Sequence, residues 1–276
     1  MNYKLAFIGV GNMATATLLG ITSGSKKPYG WSNIILFDKF QDKLESYRNN
    51  GAYLANSISD AVKKADIVFL CVKPQNFPEV LEEISSIENV SKKVFVTIAA
   101  GISMKTVADS TNNAPVIRVM PNTPMLIGKG VIALCRNASV SDEIFDFVSE
   151  IYHASGHVIT IDESEMNRII SVTGSSPAYV FLLIKAIYEG AVQQGLLDGN
   201  LTENELISSI CDVIIGSAEL MKSGTKTPDE QISVVCSKGG TTERAISELN
   251  NYHFCEGVAS AMLKCTQRAD ELGNNK

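Results

Sequence analysis

The stretch "KLAFIGVGNMATATLLG", residues 4–20, decides how the rest of the chain is read. A short apolar run ends in a glycine-punctuated turn, followed by small and apolar residues of helical character. Within it, "GVGNMA" (9–14) fits the pattern G-x-G-x-x-(G/A). In such a turn the first glycine permits a tight bend and the second lets the backbone approach a pyrophosphate, while a small third residue lets helix and strand pack closely. The N–H groups that open the helix then face the anion. On this stretch alone, a tight βα turn in some other α/β fold reads the same way.

Working outward, the first half alternates apolar runs with helical patterns. Strands are expected at 4–9, 33–38, 66–72, 93–99 and 115–120, with further runs at 130–135 and 156–162. Helical spacing fills 40–50, 77–87 and 142–154. Strands apolar at nearly every position are buried on both faces, which predicts a parallel, doubly wound, Rossmann-type sheet. After about residue 161 the β-alternation disappears. Six of the eight prolines lie before that point, and helical patterns occupy 178–197, 203–224 and 241–273. Several are apolar around much of their circumference and need covering by other helices, including those of a second subunit. The expected class is therefore α/β, with a dinucleotide-binding domain at 1–160 and an all-helical dimerisation and substrate domain at 161–276.

Composition removes several functional classes. The 276 residues are 45% hydrophobic and 20% charged, as in an ordinary globular protein, and the net charge of −6 provides no basic footprint for nucleic acid. Uninterrupted apolar runs such as 67–72 are too short to cross a bilayer. No charged segment followed by an apolar one precedes the glycine turn. The six cysteines are scattered without a C-x-x-C pair and the three histidines are dispersed, so a reduced, cytoplasmic protein without a metal centre is expected.

Asp38 closes the second expected strand, where an acidic side chain accepts hydrogen bonds from ribose hydroxyls and disfavours a 2′-phosphate; Lys39, next in sequence, offsets that repulsion. Asp38 also reads as a plain solvated strand end. "VKPQ" (72–75), "AAGI" (99–102) and "MPNTP" (120–124) leave the third, fourth and fifth strands at the same carboxyl edge, where open α/β sheets bind ligands. In the helical half, "TGSSP" (173–177) offers Ser176 as a cap with Pro177 in the first turn. "CSKGGTT" (236–242) opens a helix with free N–H groups and hydroxyls suited to a carboxylate. Each of these two stretches also reads as a plain helix cap.

Taken together, "FIGVGNMA", "VKPQ", "IAAGI", "VMPNTP", "GSSPAY" and "SKGGTT" resemble the pyrroline-5-carboxylate reductase family over nearly the whole chain. The resemblance implies reduction of 1-pyrroline-5-carboxylate to L-proline with NADP or NAD as cofactor, in a dimer or an oligomer of dimers. It places Gly9, Gly11, Asn12 and Met13 on the pyrophosphate, and Asp38 and Asn56 at the adenosine half. Val72, Lys73, Pro74, Ala99, Ala100 and Asn122 complete the cofactor set. Ser237, Gly239, Gly240, Thr241 and Thr242 take the substrate carboxylate, Glu163 and Ser175 complete the pocket, and Thr242 is the candidate for proton delivery. One departure is Lys238, where the family usually has proline; losing the ring frees an N–H and loosens φ.

A protonated imine is already electrophilic, so orientation is expected to dominate over general acid catalysis. A β-hydroxyacid dehydrogenase shares the cofactor domain but needs a G-x-x-x-K helix; Lys185 lies far beyond Gly174, so that pattern fails. A general imine reductase and a non-catalytic nucleotide sensor would both carry the same cofactor turn.

Overall fold

The computed structural model describes residues 3–24 and 29–274. An eight-stranded sheet organises the first half: β1 (Leu5–Ile8), β2 (Ile34–Phe37), β3 (Tyr53–Leu54), β4 (Ile67–Leu70), β5 (Val94–Thr97), β6 (Val116–Met120), β7 (Gly130–Arg136) and β8 (Gly156–Thr160). Their spatial order is β3-β2-β1-β4-β5-β6-β7-β8, so the first six strands follow the doubly wound dinucleotide-binding order. Successive side chains alternate faces. Ala6 and Ile8 enter one apolar layer, and Leu5 and Phe7 the other. Both layers are covered by helices, which is why the strands read as unbroken apolar runs. Phe7 stacks on Phe69 of the neighbouring strand at 4.5 Å, a pair contributing about 0.5–1.5 kcal/mol beyond its burial.

The helices of this half are α1 (Asn12–Leu19), α2 (Glu45–Asn49), α3 (Ile58–Lys64), α4 (Phe77–Ser85), α5 (Met104–Ser110) and α6 (Asp142–His153). Side-chain caps from Ser57, Ser103 and Ser141 start α3, α5 and α6. Three features depart from the sequence expectation. Strand β7 runs antiparallel to β6 because the loop 121–129 is too short for a crossover; parallel pairing resumes between β7 and β8 through α6. The expected helix over 40–50 is a 3₁₀ turn at Gln41–Leu44 followed by the short α2. The two-residue β3 was not anticipated, being too brief to show a period.

Beyond β8 come α7 (Met166–Ile169), α8 (Ser176–Gln193), α9 (Glu203–Ser223), α10 (Pro228–Val235), α11 (Thr241–Asn251) and α12 (Phe254–Asn274). Capping boxes at Thr202 and Thr227 open α9 and α10. The expected helix over 241–273 is two helices. His253 sits at φ +53 between them, after the polar pair Asn250–Asn251, which offers nothing to bury.

The chain packs as two units. The sheet is joined by the described residues up to Pro177 and by 264–274; the second unit comprises Ala178–Leu263. Met166, Ile170 and Ala269 are buried in the first unit's core. In the second unit Leu206 and Ile210 are the only buried hydrophobic residues among those described, whereas Phe181, Leu182, Val213, Leu220, Val234 and Val235 are exposed. The helical stretch Glu163–Gln193 is long and apolar enough by composition to cross a membrane, with only 11% of its most apolar window buried. Its first part, a 3₁₀ turn at Glu163–Glu165, α7 and a wide π turn at Ile170–Gly174, belongs to the sheet-bearing unit.

Candidate dinucleotide and substrate sites

At the carboxyl end of β1 the chain turns sharply. Gly9 adopts φ +89, and a Cβ there would lie 3.0 Å from Val72 Cγ1 and 3.1 Å from the Cys71 carbonyl carbon. Gly11 adopts φ −90 and faces open space, with nothing within 4 Å of a Cβ built upon it. The two glycines thus have different reasons. The first is demanded by the protein itself, and the second leaves the approach to α1 clear. No side chain caps α1, and the first bond of the helix is Thr15 N–H to Gly11 O. The N–H groups of Asn12, Met13 and Ala14 therefore have no intrahelical acceptor and point where an anion would bind.

Asp38 lies at the end of β2, beside this turn. Its Oδ2 accepts the Val10 N–H at 2.9 Å, and its Oδ1 accepts the Phe40 N–H at 2.9 Å. One carboxylate thus fixes both the glycine turn and the loop after β2, a role that residue type and position did not reveal. Asn56 is exposed just beyond β3; its backbone N–H goes to Asp60, and Ala55 N–H bonds to Leu36 O, which holds the segment against β2.

Three loops converge on the same edge. Cys71 N–H bonds to Ile8 O, so Val72 lies directly against Gly9; Lys73 is exposed and Pro74 opens a 3₁₀ turn. Ala99 is buried and Ala100 half-buried, after Ile98 N–H bonds to Leu70 O. Asn122, expected at the cofactor edge, also has a structural role. Its amide is buried and used inside the protein, donating to Thr173 O at 3.0 Å and accepting from Val131 N–H at 2.9 Å. It ties the third loop to the start of β7 and to the π turn.

Glu163 follows β8. Its Oε1 accepts the Met104 N–H at 2.6 Å and lies 3.7 Å from Arg118 Nη1. Arg118 projects from β6 with its side chain only 3% exposed. Burial lowers its pKa, and the Glu163 charge opposes that shift. Asn167 receives its Nη2 at 2.5 Å and passes a hydrogen bond of 2.7 Å to Asp270. Ser103, Ser164, Arg168 and Thr266 join these four residues around a cavity of about 560 Å³. Ser175 pairs its hydroxyl with Cys265 Sγ at 3.1 Å. The sequence signal for Arg118 was a charge inside the apolar strand "PVIRVM", which demands a buried partner.

In the second unit, Ser237–Gly240 forms a turn closed by Gly240 N–H to Ser237 O at 2.9 Å. Lys238 is exposed, and the turn closes without the proline ring. Gly239 N–H donates to Glu243 Oε2 at 2.7 Å. Of the amides expected to hold a carboxylate, those of Gly239 and Gly240 already have acceptors; those of Thr241 and Thr242, in the first turn of α11, have none within the helix. Thr242 also lines an apolar cavity of about 380 Å³ with Leu220, Met221, Ile232, Val235 and Ile246. No cluster of three metal-ligating side chains occurs among the described residues.

The strand order, the glycine turn and its free amides define an NAD(P)-dependent oxidoreductase. Residues 4–101 match the family described as NADP oxidoreductase, coenzyme F420-dependent, and residues 163–272 the family described as pyrroline-5-carboxylate reductase dimerisation. A pyrroline-5-carboxylate reductase of Corynebacterium melassecola is 34% identical, covering 98% of this chain and 99% of that protein. The Streptococcus pyogenes 1-pyrroline-5-carboxylate reductase structure is 28% identical with a TM-score of 0.87, covering 98% of this chain and 100% of that one. The fold is also that of the NADP-bound Plasmodium falciparum pyrroline carboxylate reductase, with a TM-score of 0.88, 24% identity and 99% of both chains covered. The chain belongs to the pyrroline-5-carboxylate reductase family.

Proposed function

We propose that this protein reduces 1-pyrroline-5-carboxylate to L-proline at the expense of NADH or NADPH. The observation that carries the reading is the edge at Gly9–Ala14, where N–H groups without helical acceptors stand open beside a glycine with clear space above it. Its company is a second open helix start at Thr241–Thr242, in a chain of this family.

The reduced nicotinamide, when bound, supplies the hydride. Asn12 and Met13 bind the pyrophosphate through their amides, and Asp38 and Asn56 border the adenosine half. Val72, Lys73, Ala99 and Ala100 flank the nicotinamide half; Pro74 fixes the direction of its loop, and Asn122 supports the edge from behind. The amides of Thr241 and Thr242 hold the substrate carboxylate, with Ser237, Gly239 and Gly240 shaping the turn. Glu163 and Ser175 border the substrate pocket, and the Thr242 hydroxyl lies beside the anchored carboxylate, within reach of the charged ring nitrogen. Hydride transfer turns the protonated imine into a neutral amine, and the hydroxyl relays to that nitrogen the proton it then takes up, regaining one from water. Because a protonated cyclic imine is already electrophilic, holding it in position accounts for most of the rate.

We also propose a functional division near residue 160 and self-association as a dimer or an oligomer of dimers. A five-helix unit with two buried hydrophobic residues cannot hold a core of its own, and its exposed apolar residues fit a second copy. A cytoplasmic location without nucleic-acid or membrane partners fits the net charge and the free cysteines. It also fits the buried Met166 and Ile170 at the start of the one apolar stretch, because residues held in a sheet's core do not span lipid.

Steady-state oxidation of NADH and NADPH with 1-pyrroline-5-carboxylate tests the reading directly. Turnover with this imine, and none in reverse with 3-hydroxyacids, is expected. Cofactor binding without any imine reduction would leave a nucleotide sensor instead.

A further inference from the structure

The segment 98–103, which flanks the nicotinamide half in the reading above, is held by two independent devices that meet on one helix. The first is a backbone approach. Gly101 adopts φ +80, and a Cβ on it would lie 2.5 Å from Ala269 O and 2.8 Å from Leu272 Cβ. Reciprocally, a Cβ on Gly273 would lie 2.5 Å from Gly101 O. The last turns of α12 therefore rest directly on the loop with no side chain between them.

The second device is a chain of polar contacts. Met104 N–H, immediately after the loop, is held by Glu163; Arg118 lies against Glu163 and donates to Asn167, which donates to Asp270 on α12. Asp270 and Gly273 stand one helical turn apart, so the loop is gripped from both ends by the same helix. Arg118 Nε has no hydrogen-bond partner although the side chain is buried. A buried guanidinium left incompletely paired costs stability that an apolar residue of similar volume would not. The circuit is thus a poor stabiliser and a good fixer of geometry.

We propose that Asp270 and Asn167 are positioning residues for the nicotinamide-side loop, acting through Arg118 and Glu163. Their action is on the loop, through the hydrogen-bonded chain and not through direct contact with it. The proposal rests on the reductase reading, so wild-type turnover with the imine is established first; its absence defeats that reading and not this one.

The test compares Asp270→Ala with Asp270→Asn, in the full-length protein. Asp270 is exposed, so neither change leaves a cavity, and the Asn amide oxygen still accepts from Asn167. In Asp270→Ala, amide hydrogen exchange across 98–104 is expected to accelerate at least 5-fold in the cofactor-free protein. A drop in kcat of about 10-fold is expected with it, since small misplacements of reacting groups are costly. The primary isotope effect with 4-deuterated reduced cofactor should rise at the same time, with the melting temperature unchanged. Asp270→Asn should behave as wild type in all four measurements. The proposal is overturned by wild-type exchange and kcat in Asp270→Ala, or by equal defects in the two variants. A fall in kcat that follows a lower melting temperature, with the isotope effect unmoved, overturns it equally.

Discussion

Gly9 and Gly11 sit two residues apart in one turn, yet the structure predicts opposite consequences for adding a methyl group to each. At Gly9, alanine inherits a backbone at φ +89, and left-handed conformations cost a side-chain-bearing residue about 1–2 kcal/mol. Its Cβ would also press on Val72 Cγ1 at 3.0 Å and on the Cys71 backbone at 3.1 Å. Val72 can yield by rotation, but the Cys71 backbone is held at the sheet edge by its N–H to Ile8 O, so a further ~1–3 kcal/mol of overpacking is expected. Gly9→Ala should therefore lose about 2–5 kcal/mol of unfolding free energy in urea titration, a large part of an ordinary domain's stability. At Gly11, φ is −90 and nothing lies within 4 Å, so Gly11→Ala should unfold as wild type does. Its methyl instead occupies the space above the free amides. A clash there of about 1–3 kcal/mol corresponds to roughly 5–150-fold weaker cofactor binding, read by titration of NADH or NADPH fluorescence. If Gly11→Ala unfolds as early as Gly9→Ala, or binds cofactor as tightly as wild type, the turn is not the pyrophosphate cradle.

Thr242→Ala keeps the backbone amide but removes the hydroxyl's hydrogen bond to the charged ring nitrogen, a class worth about 1.5–3 kcal/mol, so kcat/KM for the imine should fall roughly 10–150-fold with cofactor affinity unchanged. Equal losses in both titrations would remove Thr242 from the substrate site. Glu243→Gln keeps an acceptor for the Gly239 N–H but deletes a negative charge beside the turn proposed to hold the carboxylate; at an exposed position such a charge is worth about 0.2–1 kcal/mol, so the KM for the imine should drop about 1.4- to 5-fold while that for cofactor stays constant. An unchanged or higher KM for the imine would show that the Glu243 charge does not oppose the substrate. Burial pushes the Cys135 thiol up to about 12, so at pH 8 it is almost wholly protonated and should resist iodoacetamide until the protein unfolds. Rapid alkylation in the native state would mean that the strand β7 core opens on that timescale.

Much of this molecule is legible in one dimension, for identifiable reasons. A strand covered on both faces has to be apolar throughout, so β1, β2, β4, β5 and β6 appear as short apolar runs set between helical patterns. The glycine turn is equally local, because its backbone angles and its open amides are properties of consecutive residues. The helix start at Gly240 is local for the same reason. The direction of β7 is a different matter. It follows from the length of the loop before it, and an apolar run has the same composition in either direction. The break between α11 and α12 is likewise faint in the sequence, since both helices continue the same spacing across the polar pair Asn250–Asn251.

Partnership between distant residues is what the tertiary structure alone decided. Asp38 as the clamp on Val10, Asn122 as a tie to Thr173, and Glu163, Arg118, Asn167 and Asp270 as one connected chain all join positions far apart in sequence. A charge in an apolar strand announces that it needs a partner, but only the folded chain selects one, because a hydrogen bond depends on where two side chains end up and not on what surrounds each along the backbone. The sequence by itself determined the apolar strands, the glycine turn after β1 and the helix start at Gly240, since each is the work of neighbours. Which residues hold those turns in place was settled by the packing of α12 and the 163–167 segment against the sheet.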